Sequence, residues 1–421
     1  MSDEDGAWPA PDEPVEALRS FRIDDRNLVD HRHEMFQAFR EVCPVGRSEA
    51  HGGYYLVTGY KEVREAFLNV DTFSSRFVGL DWDLGESEPL IPIQIDRPEH
   101  LRYRRILNPF FTSRRARRFE PEVREVVRGL LDRFAGDGAC DYVGDFAQPL
   151  PSHAFVHFVS WPAADADFFH ETAYKAIYGH DRRDPRPPPG AYLHGSPEVQ
   201  RAAGAAIADY FETLVRNHRG DSEDDLVGYL QNARYAEDDG GRPLSEDEIV
   251  QILYLLVIAG FDTTRKMLSL IVNFLAQHPE HRDRIAADLS IVPTAVEELM
   301  RWETPLQLTR TLTQDYVLGG TRLRKGDKVL LSTTAASRDP ACVSAPEEIQ
   351  LDRKRNPHMT FGAGPHRCLG IHFATMEIQI AIEELHRRLP DFHLARGQRS
   401  EVSVGTGVGV DYLPLEFTPA P

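Results

Sequence analysis

Ten residues, Phe361-Gly-Ala-Gly-Pro-His-Arg-Cys-Leu-Gly370, set a single cysteine, Cys368, between a glycine-rich turn and the apolar run Ile371–Leu385. Gly362 and Gly364 suit a chain that bends sharply and brings its backbone close to something flat. The spacing predicts that Cys368 opens the following helix, where free N–H groups and the positive end of the dipole favour a thiolate. His366 and Arg367 add donors or positive charge beside it. A thiolate so placed can act as an axial ligand to haem iron and push electron density toward oxygen. In isolation a lone cysteine reads as a small buried hydrophobe. Here the residues around it argue for the ligand.

Three further stretches could do chemistry. In Asp96–Thr112, His100 and Arg104 are four apart and share a helical face. Two donors on one face can clamp an anionic group whose charge must be met when it is buried. Ala259-Gly-Phe-Asp-Thr-Thr264 puts a glycine, an acid and two β-hydroxyl residues in the middle of a helical run. Those residues are poor helix formers, and a threonine hydroxyl can compete for a helical carbonyl and open the ladder locally. Glu298 and Arg301 lie one helical turn apart, the spacing of an ordinary helix salt bridge.

The pattern Phe-Gly-x-Gly-x-His-x-Cys-x-Gly is matched at every fixed position and resembles the haem-binding signature of the cytochrome P450 monooxygenases. The resemblance runs, motif by motif in the expected order, from about Phe21 to Phe417. It implies a mainly α fold with a small β region, haem b under a long central helix, and Cys368 as the metal ligand. Phe361, Gly362, Gly370, Ala259 and His366 would bind the haem, and His100, Arg104 and Arg310 would meet its propionates. Thr263 would hydrogen-bond dioxygen and an accompanying water, while Asp262 would bring protons in from solvent. Glu298, Arg301 and Arg353 would form a structural ionic triad. Trp82, Ile258, Leu306, Leu308, Thr406 and Val408 would line the substrate pocket. That set is mostly apolar, which implies a hydrophobic small molecule such as a terpenoid, polyketide or aromatic compound of secondary metabolism.

The elements that must hold these groups are legible in outline. Ser245-x-x-Glu248 is a capping box, and helical residues then run to Gln277 before Pro279; that length spans roughly 50 Å. Helices are also expected over Val29–Cys43, Tyr60–Asn69, Pro121–Phe134, Ala163–Tyr178 and Pro197–Arg219. Gly53–Thr58 reads as a strand, and Thr321–Leu331 as a strand–turn–strand around Lys325-Gly-Asp327. Phe73–Ile95 and the proline-rich Asp181–Pro197 read as loops, which the resemblance implies lie over the pocket. Asp221–Asp239 reads as an acidic solvated segment, and Val402–Leu415 as a Gly- and Val-rich stretch whose turn near Thr406–Val408 completes the pocket. Residues 1–20 form a polar tail and 21–421 a single domain.

With 66 acidic against 48 basic residues, the net charge of −18 argues against nucleic acid as the main partner. Four cysteines without a C-x-x-C pair exclude a disulfide scaffold or zinc ribbon and fit a reducing compartment. Met1–Pro14 lacks the pattern of a signal peptide, and no apolar run approaches a membrane span. The expectation is a cytoplasmic monomer with no membrane partner. In so acidic a chain, Arg102, Arg105, Arg114 and Arg115 make a local positive field. The resemblance implies that these arginines, with Arg367, receive a ferredoxin, which passes electrons from NAD(P)H by way of a reductase. Two rivals are a relative using peroxide or nitric oxide, disfavoured by the intact Asp262–Thr263 pair, and a haem sensor or carrier without turnover.

Overall fold

The computed structural model describes residues 14–25, 27–77, 79–80, 89–181, 195–219, 225–235 and 241–420. Its axis is the helix Glu246–Gln277, capped as the sequence requires: Ser245 Oγ accepts from the Glu248 N–H, and Glu248 accepts from the Ser245 N–H. The helix is α-helical throughout, so the Thr263 and Thr264 hydroxyls do not open the ladder. They bond the Ala259 and Gly260 carbonyls one turn back, at 2.8 and 3.1 Å, beside the backbone bonds. The five consecutive residues Leu268 to Val272, which together point to every side of the helix, are all buried, because the rest of the core surrounds this segment.

Two helices, Ala166–Tyr178 and Pro197–Asn217, pack on each other and across the central helix as a roof. The first ends at Gly179 in the left-handed region (φ 71°), where glycine stops a helix without strain. Beneath lie Glu99–Leu107, Val292–Trp302 and Ile371–Arg388. A five-stranded sheet stands to one side, in the order Val45–Ser48, Tyr54–Val57, Lys328–Ser332, Gln307–Leu312, Phe73–Ser74. No helix among the described residues is long and apolar enough to cross a membrane.

Several expectations need correcting. Pro14–Ser20 is helical, not tail: Leu18 is buried and packs where a side chain on Gly46 would stand. Asp221–Asp239 is not merely solvated, since Leu226–Asn232 forms a helix whose Leu226, Val227 and Leu230 enter the core. Strands do flank the Lys325–Asp327 turn, but they do not pair with each other. Thr321–Leu323 pairs with Tyr316–Leu318, and Lys328–Ser332 joins the large sheet. Trp82 and most of Asp181–Pro197 lie outside the described residues.

Candidate active site

Cys368 sits in a loop whose shape is set by its glycines. Gly362 and Gly364 both take positive φ (66° and 70°), and a Cβ on Gly364 would stand 2.5 Å from the Phe67 carbonyl. The close approach that demands glycine is thus to the neighbouring chain. The Cys368 N–H donates to the Phe361 carbonyl at 3.0 Å, closing the loop. The helix itself begins only at Ile371, with Gly370 before it, so Cys368 does not open the helix. Its side chain is exposed to the cleft, yet the protein packed around it raises the thiol above its usual range. The N–H groups of Gly370 and Ile371, with Arg104 and Arg367, pull the other way without overcoming that burial.

Beside the cysteine loop, four donors converge. The rings of His100 and His366 stack at 3.7 Å. Burial, with Arg104 adding to it, lowers His100 to about 4, and burial with Arg310 lowers His366 to about 2, so both are neutral imidazoles. Buried Arg310 is pushed down to about 10 and bonds the neighbouring Thr309 carbonyl through one nitrogen. His100 Nδ1, Arg104 Nε and Arg310 Nε are buried without a partner. Asp96 attracts His100 and Arg310, but its carboxylate already accepts from Ser74 and from the Ser75 N–H. Buried arginine N–H groups left unmatched are rare in a folded chain, and His100 Nδ1 adds a further unmatched ring nitrogen. These ask for an anion from outside it, and the two propionates of a haem edge fit that demand.

Across the cleft, Ala259, Gly260, Asp262 and Thr263 form a half-buried strip of the central helix, and a Cβ on Gly260 would meet nothing within 4 Å. Thr263 gives its proton to the Ala259 carbonyl, which leaves its oxygen as an acceptor. Asp262 is tightly held. It accepts from the Tyr178 hydroxyl at 2.6 Å and from Arg265 at 2.9 and 3.0 Å, and pairs with Lys266 at 2.9 Å. Burial would raise this carboxyl, but Lys266 and Arg265 hold it well below the usual carboxylate range. Sequence reasoning missed this network. Arg265 and Lys266 follow the acid at i+3 and i+4, a readable signal; Tyr178, from the roof, left none.

The other predicted residues divide. Glu298 accepts from Arg301 through both oxygens at 2.9 Å, from Arg353 at 2.9 Å and from the Gln350 N–H at 2.9 Å. Both arginines send their remaining donors to backbone carbonyls, including that of Glu348. Leu306, Leu308 and Thr406 are half-buried, with Leu308 packed against the smaller core cluster, while Ile258 and Val408 belong to the main packed core. Phe361 also packs against that core as a partly buried residue.

Arg105, Arg114 and Arg367 are exposed, and Arg102 lies half-buried over the Tyr235 ring. Arg115 must be removed from that face. It is buried, donates to the Phe158 carbonyl at 2.9 Å and covers the Phe110 ring at 3.7 Å. Thr112 caps its short helix, and that start turns Arg115 and Ala116 inward together.

A family model described as Cytochrome P450 matches residues 195–400. The chain is 30% identical over 398 residues to the steroid C26-monooxygenase of Mycolicibacterium smegmatis, covering 92% of this chain and 93% of that protein. It is 33% identical over 405 residues to the methyl-branched lipid omega-hydroxylase of Mycobacterium bovis, covering 91% of each. The crystal structure of cytochrome P450 CYP101C1 superposes with a TM-score of 0.82 at 28% identity, over 96% of this chain and 98% of that one. Similarity along nearly the whole chain, on a fold with a cysteine loop and an unmatched donor cluster facing one cleft, makes this protein a cytochrome P450, an oxidoreductase that uses haem and dioxygen with electrons from NAD(P)H through redox partners.

Proposed function

We propose that the chain hydroxylates, or otherwise mono-oxygenates, a lipophilic small molecule held between the central helix and the turn at Thr406–Val408. Cys368 would hold the haem iron from one side, and His100, Arg104, Arg310 and His366 would hold its acid groups. When bound, that group supplies the oxygen-activating redox chemistry. The observation that carries the reading is the set of buried, partnerless N–H groups beside the cysteine loop.

The residues of the chain supply position and protons. Thr263, its own proton spent on Ala259, accepts a hydrogen bond from a water or ligand in the cleft. Asp262 starts as an ionised carboxylate with its oxygens engaged, so it takes up a proton only when Tyr178, Arg265 or Lys266 lets go. Exposed Arg105, Arg114 and Arg367, with half-buried Arg102, lie on helices and a loop bordering the cysteine side, where a small acidic ferredoxin would be steered. The relatives named for a steroid and a branched lipid support a lipophilic substrate.

Thr263→Ala tests the assignment. It should leave intact the red-shifted Soret band of the reduced, carbon monoxide-bound protein, and divert most of the NADH-derived electrons to hydrogen peroxide in a reconstituted system. Turnover as tightly coupled as in the parent would remove Thr263 from the role.

A further inference from the structure

The turn that closes the pocket has no side chain at Gly407, and something else fills the space. A Cβ built there would stand 2.6 Å from Lys266 Nζ and 3.2 Å from Leu306 Cδ2. Gly409 makes room for the stem of the same lysine, since its Cβ would lie 2.5 Å from Lys266 Cγ. The backbone is pinned on both sides of this gap. Leu306 pairs with Gly407 as a β-bridge, the Gln307 N–H reaches the Thr406 carbonyl at 2.8 Å, and the Val408 N–H reaches Pro305 at 2.7 Å. Two glycines and two segments of chain are thus arranged around one ammonium.

That ammonium is incompletely satisfied. The Lys266 side chain is 9% exposed, and Nζ meets Asp262 Oδ2 at 2.9 Å and lies 5.7 Å from the centre of the Tyr178 ring. An ammonium has three donors, so two remain without a protein acceptor among the described residues. Its neighbours at the gap, Leu306 and Thr406, are half-buried pocket residues. The surrounding charges already balance: Asp262 and Asp411 face Arg265 and Lys266. A substrate carboxylate would add an uncompensated charge to this buried set, which is costly. A neutral acceptor would take a hydrogen bond and leave the balance intact.

Building on the pocket proposed above, we infer that Lys266 is a specificity residue that hydrogen-bonds a neutral oxygen acceptor, a carbonyl or ether-type oxygen, on an otherwise apolar substrate. The pocket is then apolar with one fixed donor, and that donor orients the substrate. Its remaining donors act on the substrate, while its contact with the Asp262 carboxylate ties it to the proton path described above.

The test uses matched probes, cyclododecanone against cyclododecane and 2-tridecanone against tridecane, with dodecanoate as the charged arm. Dissociation constants are read on the haem-loaded protein from the ligand-induced spin-state change and by calorimetry. The ketone in at least one pair should bind about tenfold more tightly than its hydrocarbon, and dodecanoate no better than that ketone. Lys266→Met should bring ketone and hydrocarbon within about twofold while leaving the hydrocarbon's constant unchanged. Gly407→Ala, which crowds the ammonium without removing it, should weaken the ketone selectively and keeps the question open to refutation if Lys266→Met does not fold. Equal affinities for ketone and hydrocarbon in the parent, an unchanged ketone preference in both variants, or a preference for dodecanoate would overturn the inference. Loss of the thiolate carbon monoxide spectrum in the parent would instead strike at the haem site itself.

Discussion

Two buried charge clusters in this molecule obey opposite rules. In the Glu298–Arg301–Arg353 cluster, the carboxylate accepts from both arginines and from a backbone N–H. The arginines send their other donors to carbonyls, and the whole is almost completely buried. In the His100–Arg104–Arg310–His366 cluster, buried N–H groups have no partner, and burial pushes the bases toward neutrality. A saturated network belongs to the scaffold. An unsaturated one waits for a ligand, and it weakens the bare chain in the meantime.

The contrast can be broken most forcefully at Glu298. Glu298→Ala strands two buried arginines, and uncompensated buried charge destabilises by about 3–5 kcal/mol. The variant should fail to accumulate as folded, haem-holding protein, as read by urea unfolding and haem content. A stable Glu298→Ala protein would mean the triad is dispensable.

Arg310→Met should behave in the opposite sense. Without haem, removing an unmatched buried cation should leave stability equal or raise it by about 1 kcal/mol. With haem, losing one charge-assisted bond should speed haem transfer to an acceptor protein about tenfold. Destabilisation of the haem-free chain would erase the distinction between the clusters.

Glu377 sharpens the comparison with Glu298 at the level of one residue type. Both are buried, but among the described residues Glu377 has no cation paired with it and one of its oxygens has no partner, and burial pushes its carboxyl up to about 8 from 4.5. Between those values the folded chain keeps a proton that the unfolded chain has lost. Stability contributed by this group therefore falls as pH rises through the window and is constant above it. Glu377→Gln should raise the urea midpoint at about pH 8.5 and leave it nearly unchanged at about pH 4.5. An unchanged pH profile would show that Glu377 is ionised in the fold.

The smallest effect belongs to the surface. Arg114→Glu should slow reduction by a ferredoxin a few-fold at low salt, with the difference vanishing in high salt. Rates unaffected at every ionic strength would place the electron donor elsewhere.

What the sequence displayed was local. His100 and Arg104, Glu298 and Arg301, and the Ser245–Glu248 cap are short-range spacings, and the structure holds each on one helix or at its start. Arg353 was legible only through family resemblance, because it reaches Glu298 across 55 positions. Arg115 was misread because four arginines in a row of six look alike until the cap at Thr112 fixes which of them faces inward. Tyr178 and Gly407 were invisible for the complementary reason. One acts through a contact 84 positions away, and the other through the side chain it lacks.

The cap of the central helix has a further consequence. Glu248 accepts not only from Ser245 but from Arg242 and, at 2.5 Å, from the Tyr103 hydroxyl, 145 positions earlier. Burial alone would raise this carboxyl, yet Arg242 and Tyr103 bring it down to about 2, so the joint survives any ordinary acidity. Tyr103 sits between His100 and Arg104 on their helix. The helix carrying His100 and Arg104 is therefore fastened to the start of the helix that carries Thr263 through this one carboxylate.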